Sequence, residues 1–235
     1  MKAIILAAGR GSRMKNLTDE VPKCMLEFRG KPLIEWQLAS LNKSGISEIG
    51  IVTGYKKEIT ESFGLSCFHN EKWSETNMLY SLYQARDWLL SDDCIVAYSD
   101  IFYTEDSIVP LLNTKADISI TYDPNWLDQW SKRFADPLED AETFNQENGW
   151  LKEIGRQAKS LDEIKGQYMG ILQFSPKGWG QVEDFLTHLP DSFDRMDMTS
   201  LLSKLIERNV PIRTIAISDE WYEFDSMNDL NTFTN

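Results

Sequence analysis

Cysteine is scarce in this 235-residue chain: Cys24, Cys67 and Cys94 are odd in number and form no Cys-x-x-Cys pair. That excludes a disulfide framework and a cysteine-rich zinc site, and it suits a reducing compartment. Histidine is scarcer still, and neither His69 nor His188 has a partner motif for nucleophilic chemistry. Positive charge is in deficit: 24 Lys and Arg stand against 37 Asp and Glu, a formal net charge of −13. Such a surface repels a nucleic-acid backbone and anionic lipid, so neither is expected as a partner. No apolar run approaches the ~20 residues of a membrane span, so no membrane insertion is expected. The apolar stretch after Met1 is short and runs into Gly9-Arg-Gly11, which argues for a strand over a secretory leader. A cytoplasmic location is the expectation. Internal repeats and low-complexity tracts are also missing.

What is present is enough apolar surface for a large core, with 42% hydrophobic and 11% aromatic residues. The length suits a single domain over residues 1–235 carrying a sizeable insertion. Lys2 to Ala7 is a short apolar run of the kind buried in parallel sheets. Helical spacing follows over Pro32 to Leu41, then a strand at Glu48 to Thr53 and a short helix at Tyr55 to Phe63. A further helix at Asn77 to Leu90 leads to a strand at Asp93 to Tyr98, which ends in Ser99-Asp100. This alternation predicts an α/β, Rossmann-like, three-layer fold around a mixed, mostly parallel sheet. From Asp123 to Asn148 no clean period survives, and residues 123–148 read as an irregular insertion or lid. Trp150 to Ile154 and Gln167 to Phe174 look like paired strands. Helices near Pro176 to Leu189 and Met198 to Asn209, strands at Ile212 to Ile217 and Trp221 to Phe224, and a helix near Asn228 complete the pattern.

The segment Leu6-Ala-Ala-Gly-Arg-Gly-Ser-Arg13 directly follows the first strand. Gly9 and Gly11 allow close backbone approach, so the loop N–H groups, that of Ser12 included, can face phosphate oxygens. Arg10 and Arg13 add charged donors, Lys15 is able to join them, and Lys23 after Pro22 can return to the same place. The loop is no Walker motif, and Met14 stands where a dinucleotide fingerprint needs glycine.

Leu-Ala-Ala-Gly-x-Gly-x-Arg followed by Pro-Lys resembles the signature of the NTP-transferase family, which activates sugar phosphates and small phosphorylated alcohols. Glu75 to Leu82, Trp126 to Phe134, Asp136 to Thr143, Gly166 to Gly170 and Glu223-Phe-Asp225 are similar to the phosphocholine cytidylyltransferase branch. The resemblance covers nearly the whole chain. It implies a Mg²⁺-dependent enzyme joining CTP to a small phosphorylated acceptor, phosphocholine first, then an amine, phosphonate or phospho-amino acid, with release of pyrophosphate. A homodimer is compatible with it, and the products would feed cell-surface polysaccharide or lipid decoration. Its same-class alternative is a sugar-1-phosphate nucleotidyltransferase. A glycosyltransferase on a related sheet would carry Asp-x-Asp, and Asp100-Ile-Phe lacks the second aspartate.

For such a reaction Mg²⁺ needs one or two carboxylates beside phosphate oxygens. Asp100 alone is an ordinary turn or cap aspartate; beside the first loop it reads as a metal ligand. The resemblance supplies Asp225 as the second ligand, with Lys23 and Arg13 completing the catalytic set. It also assigns base and ribose contacts to Leu6, Ala7 and Ala8 and to Thr76, Asn77 and Met78. The amide of Asn77 could read a pyrimidine edge or simply cap the next helix. In the insertion Trp126, Trp130 and Phe134 recur at helical spacing, with Trp150 and Tyr168 further on and Asp136, Asp140 and Glu142 between them. Aromatic faces with carboxylates suit a cationic head group, although packing of the insertion against the sheet is the better explanation for at least half of these aromatics. The expected acceptor contacts are Trp130, Arg133, Glu142, Lys159 and Tyr168, with Arg133, Arg156 and Lys159 as candidates for the acceptor phosphate. Sugar-phosphate enzymes often show Glu-Lys-Pro where this chain has Gly155-Arg-Gln-Ala-Lys-Ser160, which counts against the sugar reading.

Overall fold

The computed structural model describes residues 1–189 and 192–234, without the Lys15 side chain, so the expected role of Lys15 lies outside the described residues. In chain order β1 (Lys2–Ala7) is followed by β2 (Glu27–Phe28), β3 (Lys31–Pro32), α1 (Leu33–Lys43), β4 (Ile49–Thr53), α2 (Lys57–Glu61) and β5 (Ser66–His69). Then come α3 (Met78–Tyr83), α4 (Arg86–Ser91), β6 (Cys94–Tyr98), β7 (Ile101–Tyr103), α5 (Val109–Leu112), β8 (Ile118–Asp123) and α6 (Trp126–Arg133). The rest is β9 (Glu142–Glu147), β10 (Trp150–Gln157), β11 (Gln167–Phe174), α7 (Pro176–Thr187), α8 (Met198–Glu207), β12 (Arg213–Ala216), β13 (Trp221–Glu223) and α9 (Met227–Thr234).

One nine-stranded sheet runs in the order β5-β4-β1-β6-β11-β8-β12-β10-β9. Strands β5, β4, β1 and β6 are parallel neighbours, β11 enters antiparallel, and β8 and β12 pair in parallel again. This is the α/β, Rossmann-like class that the alternating pattern predicts. Side-chain alternation makes the three layers. Ile4 and Leu6 of β1 join a core under α3, α4, α7 and α8, whereas Ala3, Ile5 and Ala7 face the opposite core with α1 and α6.

A third cluster packs Met14 with Phe28, Leu33, Phe102, Phe224 and Phe233. Each such buried side chain contributes about 1.5–3 kcal/mol, so the loop after β1 is anchored through Met14 and not left to swing. The residue that breaks the dinucleotide fingerprint is therefore a core anchor.

Three sequence expectations are corrected. The stretch 123–148 is not irregular: it holds α6 and the edge strand β9. Trp150 to Ile154 and Gln167 to Phe174 are not partners, because β10 pairs with β9 and β12 while β11 pairs with β6 and β8. The helix expected at Asn77 to Leu90 is two helices, divided where Gln84 and Ala85 donate to the carbonyls of Ser81 and Leu82, a tightening to three-residue turns.

Among the described residues no helix is long and apolar enough to cross a membrane. Cys24 and Cys94 are fully buried and Cys67 is exposed on the edge strand β5.

Candidate active site

The carboxyl ends of β1 and β6 meet at one rim of the sheet, where ligands of such folds collect. Gly11 turns the chain after β1 with φ +69°, in the left-handed region that glycine adopts without strain. A Cβ there would come within 2.9 Å of the Lys23 Cδ, so glycine also leaves the path along which the Lys23 stem lies. Gly11→Ala is expected to cost about 1–2 kcal/mol from the backbone alone and to displace Lys23. Urea unfolding checks this, and an unchanged midpoint would mean the turn relaxes freely.

Lys23 opens a short 3-10 turn after the extended Pro22 and is 8% exposed. Its Nζ donates to Asp100 Oδ2 at 2.7 Å and to Asp225 Oδ1 at 2.6 Å. Asp100 follows β6. Asp225 is remote in sequence, and the antiparallel pairing of β13 with β7 carries it there, ending with the Phe224 N–H on the Asp100 carbonyl at 3.0 Å. Arg13 Nη2 lies 3.1 Å from Asp225 Oδ1. Burial alone would lower the Lys23 pKa, but Asp100 and Asp225 raise it well above the ordinary lysine value. Burial alone would raise Asp225, yet Lys23 and Arg13 hold it below the usual carboxylate range. Both groups are therefore charged at neutral pH.

Two hollows meet at this point, sharing Arg13, Met78 and Tyr98. The first, about 320 Å³, is lined by Leu6, Gly9, Gly11, Ser12, Lys23, Asn77 and Asp100. The second, about 230 Å³, is lined by Trp130, Asp140, Glu142, Tyr168, Asp197 and Glu223. Volumes of this size fit small metabolites. Gly170, at φ +78°, gives the Tyr98 ring its place, since a Cβ would lie 2.8 Å from Tyr98 Cδ2. Burial raises the pKa of Asp140 and of Glu142. Burial and the neighbouring Asp225 push Glu223 up to about 8 against the pull of Arg133.

Several expected contacts fall outside the hollows. The Ala7 and Ala8 side chains are buried, and the Ala8 carbonyl accepts the Tyr55 N–H. Arg10 turns to Asp19 at 2.7 Å. The Thr76 hydroxyl is held by Lys72 and Asn70. Asn77 lines the first hollow but caps α3: its Oδ1 accepts the Met78 N–H and its Nδ2 donates to the Arg195 carbonyl. These contacts are those of a cap, and the residue that makes them also borders the first hollow. Lys159 and Arg156 are exposed, Arg156 paired with Glu153, and neither lines a hollow. Arg133 is sealed behind Asp225 with no exposed side-chain surface, so its charge is not offered to an acceptor phosphate. Trp130, Glu142 and Tyr168 do line the second hollow. Sequence reasoning missed Asp197, which caps α8 through Ser200 N–H while facing the hollow, and its only signal was that cap position.

A parallel-sheet rim where one hollow bounded by a glycine loop and a lysine meets a second across a pair of carboxylates is the architecture of a nucleotidyltransferase. The MobA-like NTP transferase domain matches residues 3–159, and the chain belongs to that family. It is 38% identical to the CTP:phosphoglutamine cytidylyltransferase of Campylobacter jejuni subsp. jejuni, with 98% of each chain covered. It is 40% identical over 106 residues to the choline-phosphate cytidylyltransferase of Streptococcus pneumoniae, covering 43% of this chain and 46% of that one. The inositol-1-phosphate CTP transferase of T. maritima superposes with a TM-score of 0.76 at 20% identity, covering 98% of this chain and 91% of that one, a likeness of fold.

Proposed function

We propose that this enzyme transfers the cytidylyl group of CTP to the phosphate of a small metabolite that also carries an ammonium group. An acceptor phosphate oxygen attacks the α-phosphorus, the bond to the bridging oxygen breaks, and pyrophosphate leaves with that oxygen. The observation that carries the acceptor class is the charge of the second hollow: Asp140, Glu142, Asp197 and Asp225 line it beside Glu223, whose raised pKa removes it from the count, with one cation, Arg13, at its seam. A phosphate at Arg13 and an ammonium against Glu142, Trp130 and Tyr168 match this polarity. The relatives that act on CTP support the choice of nucleotide.

Lys23 neutralises charge at the α-phosphate, and the N–H groups around Gly9, Gly11 and Ser12 bind the outer phosphates. Arg13, lining both hollows, aligns the acceptor phosphate with them. The acceptor is already an anion, so no side chain has to serve as nucleophile. Asp100 and Asp225 fit Mg²⁺: they converge on one ammonium, and the buried Asp100 Oδ1 has no hydrogen-bond partner. No group of three or more His, Cys, Asp or Glu suited to a metal occurs among the described residues, so phosphate and water would complete the shell. When bound, Mg²⁺ would polarise the phosphoryl oxygens and offset the charge of the leaving pyrophosphate.

The test is pyrophosphate release with each nucleoside triphosphate against phosphocholine, phosphoethanolamine, 2-aminoethylphosphonate, phosphoglutamine and a hexose 1-phosphate. Turnover is expected with CTP and an ammonium-bearing acceptor; activity on the hexose 1-phosphate alone would refute the reading. Glu142→Gln is expected to raise the acceptor KM about tenfold, the scale of one charged contact, with the CTP KM little changed. Because the pKa of Glu142 is raised, its charge is lost on acidification sooner than that of an ordinary glutamate. The acceptor KM should therefore climb as pH falls, and less so in Glu142→Gln.

A further inference from the structure

Arg133 closes α6, and its guanidinium reaches three carboxylates in three directions. Nη1 donates to Glu223 Oε2 at 2.7 Å, Nε to Asp229 Oδ1 at 3.0 Å and Nη2 to Asp225 Oδ2 at 3.5 Å. The rings of Trp130 and Phe134 lie against it, 4.8 and 5.1 Å from Cζ. Asp229, 2% exposed, accepts the Asp225 N–H at 2.9 Å and the Ser226 N–H at 2.8 Å through Oδ2. Asp225 is thus held twice, its backbone by Asp229 and its Oδ2 by Arg133. Only Oδ1 remains turned to Lys23 and Arg13. The segment needs this hold, because β13 is three residues long and ends before Asp225.

We infer that Arg133 is a positioning residue: together with Asp229 it fixes the carboxylate of Asp225 so that Oδ1 faces the reaction centre. The inference rests on the reading of Asp225 as a metal ligand. It makes α6, α9 and that ligand one tied unit, with the acceptor-side Trp130 on the same helix. Lysine is no substitute, since one ammonium cannot meet three carboxylates along the separate directions of a planar fork.

Mn²⁺ is the probe, with its free concentration followed by electron paramagnetic resonance while it is titrated into protein saturated with CTP. Arg133→Lys is expected to weaken Mn²⁺ binding by about 10–100-fold, the scale of losing a group that orients a metal ligand. The kcat should fall with it, while the CTP KM at saturating Mn²⁺ stays within about twofold. Folding is checked by circular dichroism. A folded Arg133→Lys with wild-type Mn²⁺ affinity and kcat overturns the inference, even with a lowered melting temperature. Where Arg133→Lys does not fold, Asp229→Asn, which keeps an acceptor for the two backbone N–H groups, decides by the same criterion. Asp225→Asn is run in parallel. Wild-type Mn²⁺ affinity there refutes the reading of Asp225 as ligand, whereas a loss in Asp225→Asn without one in Arg133→Lys refutes the positioning role alone.

Discussion

Lys23→Met is expected to lower kcat by about 10²–10³, the loss seen when one preorganised donor is removed from a transition state. The stem of methionine fills the same channel beside Gly11, so the cavity term is small and the charge is what disappears. Without it Asp100 and Asp225 converge with no ammonium between them. Breaking a buried pair from one side costs about 3–5 kcal/mol, so a lower melting temperature should accompany the fall in turnover. Lys23 has a raised pKa, so its stabilisation is complete below the unfolded-state value and fades only as pH rises through the folded one. Asp225 has a lowered pKa, so its contribution fades only as pH falls below the usual carboxylate range. Between those limits this pair should give the wild type no pH dependence. In Lys23→Met, by contrast, burial raises Asp225 without the lysine to oppose it, so the variant's deficit should shrink as pH falls toward the carboxylate range. Steady-state pyrophosphate release and thermal melts at several pH values provide the check. Wild-type kcat in a folded Lys23→Met would remove Lys23 from the chemistry.

Asp100→Asn is expected to reduce kcat by about 10² or more, and a chelator should abolish turnover of the wild type. The substitution keeps the shape and removes the charge. Its amide nitrogen would also set a donor against the Lys23 ammonium or place it where Asp100 Oδ1 now lies unpartnered. The readout is the Mg²⁺ concentration that gives half-maximal velocity, which should rise. An unchanged value would mean that Asp100 serves only to hold Lys23. The effect on folding should be smaller than for Lys23→Met, because Asp225 still neutralises the lysine.

The central half of the fold was legible because its signals are local. The apolar runs of β1 and β6 and the glycine loop after β1 announce a parallel sheet with a candidate ligand site at its rim. Lys23 and Asp100 sit next to those signals. Asp225 could not be read from spacing, because its place is set by the pairing of β7 with β13, two three-residue strands too short to show a period. The resemblance supplied it. The stretch from Asp123 to Asn148 misled for another reason. The buried face of α6 is Trp126, Gln129, Trp130 and Arg133, a helical stripe in which half the members are polar. Hydrophobic periodicity cannot report a face whose burial depends on hydrogen bonds and ion pairs formed with distant segments. The same blindness offered Arg133 to a substrate phosphate. Nor could local pattern show that β8 and β12 separate β10 from β11, since that depends on the order of crossovers.

The three cysteines staple nothing, yet they partition the molecule by reactivity. Burial raises the thiols of Cys24 and Cys94 to about 12, so neither offers a thiolate while its surroundings are closed. Cys67 stands in solvent at the sheet edge and is the thiol that an added reagent meets first. Cys24 lies beside Lys23 in the turn that flanks the first hollow, and Cys94 begins the central strand. A brief alkylation pulse therefore distinguishes two kinds of opening. Loosening of the turn alone uncovers Cys24, while Cys94 waits for the sheet itself to come apart. The chain carries its own reporters for breathing of the active-site rim and for global unfolding, without an introduced label.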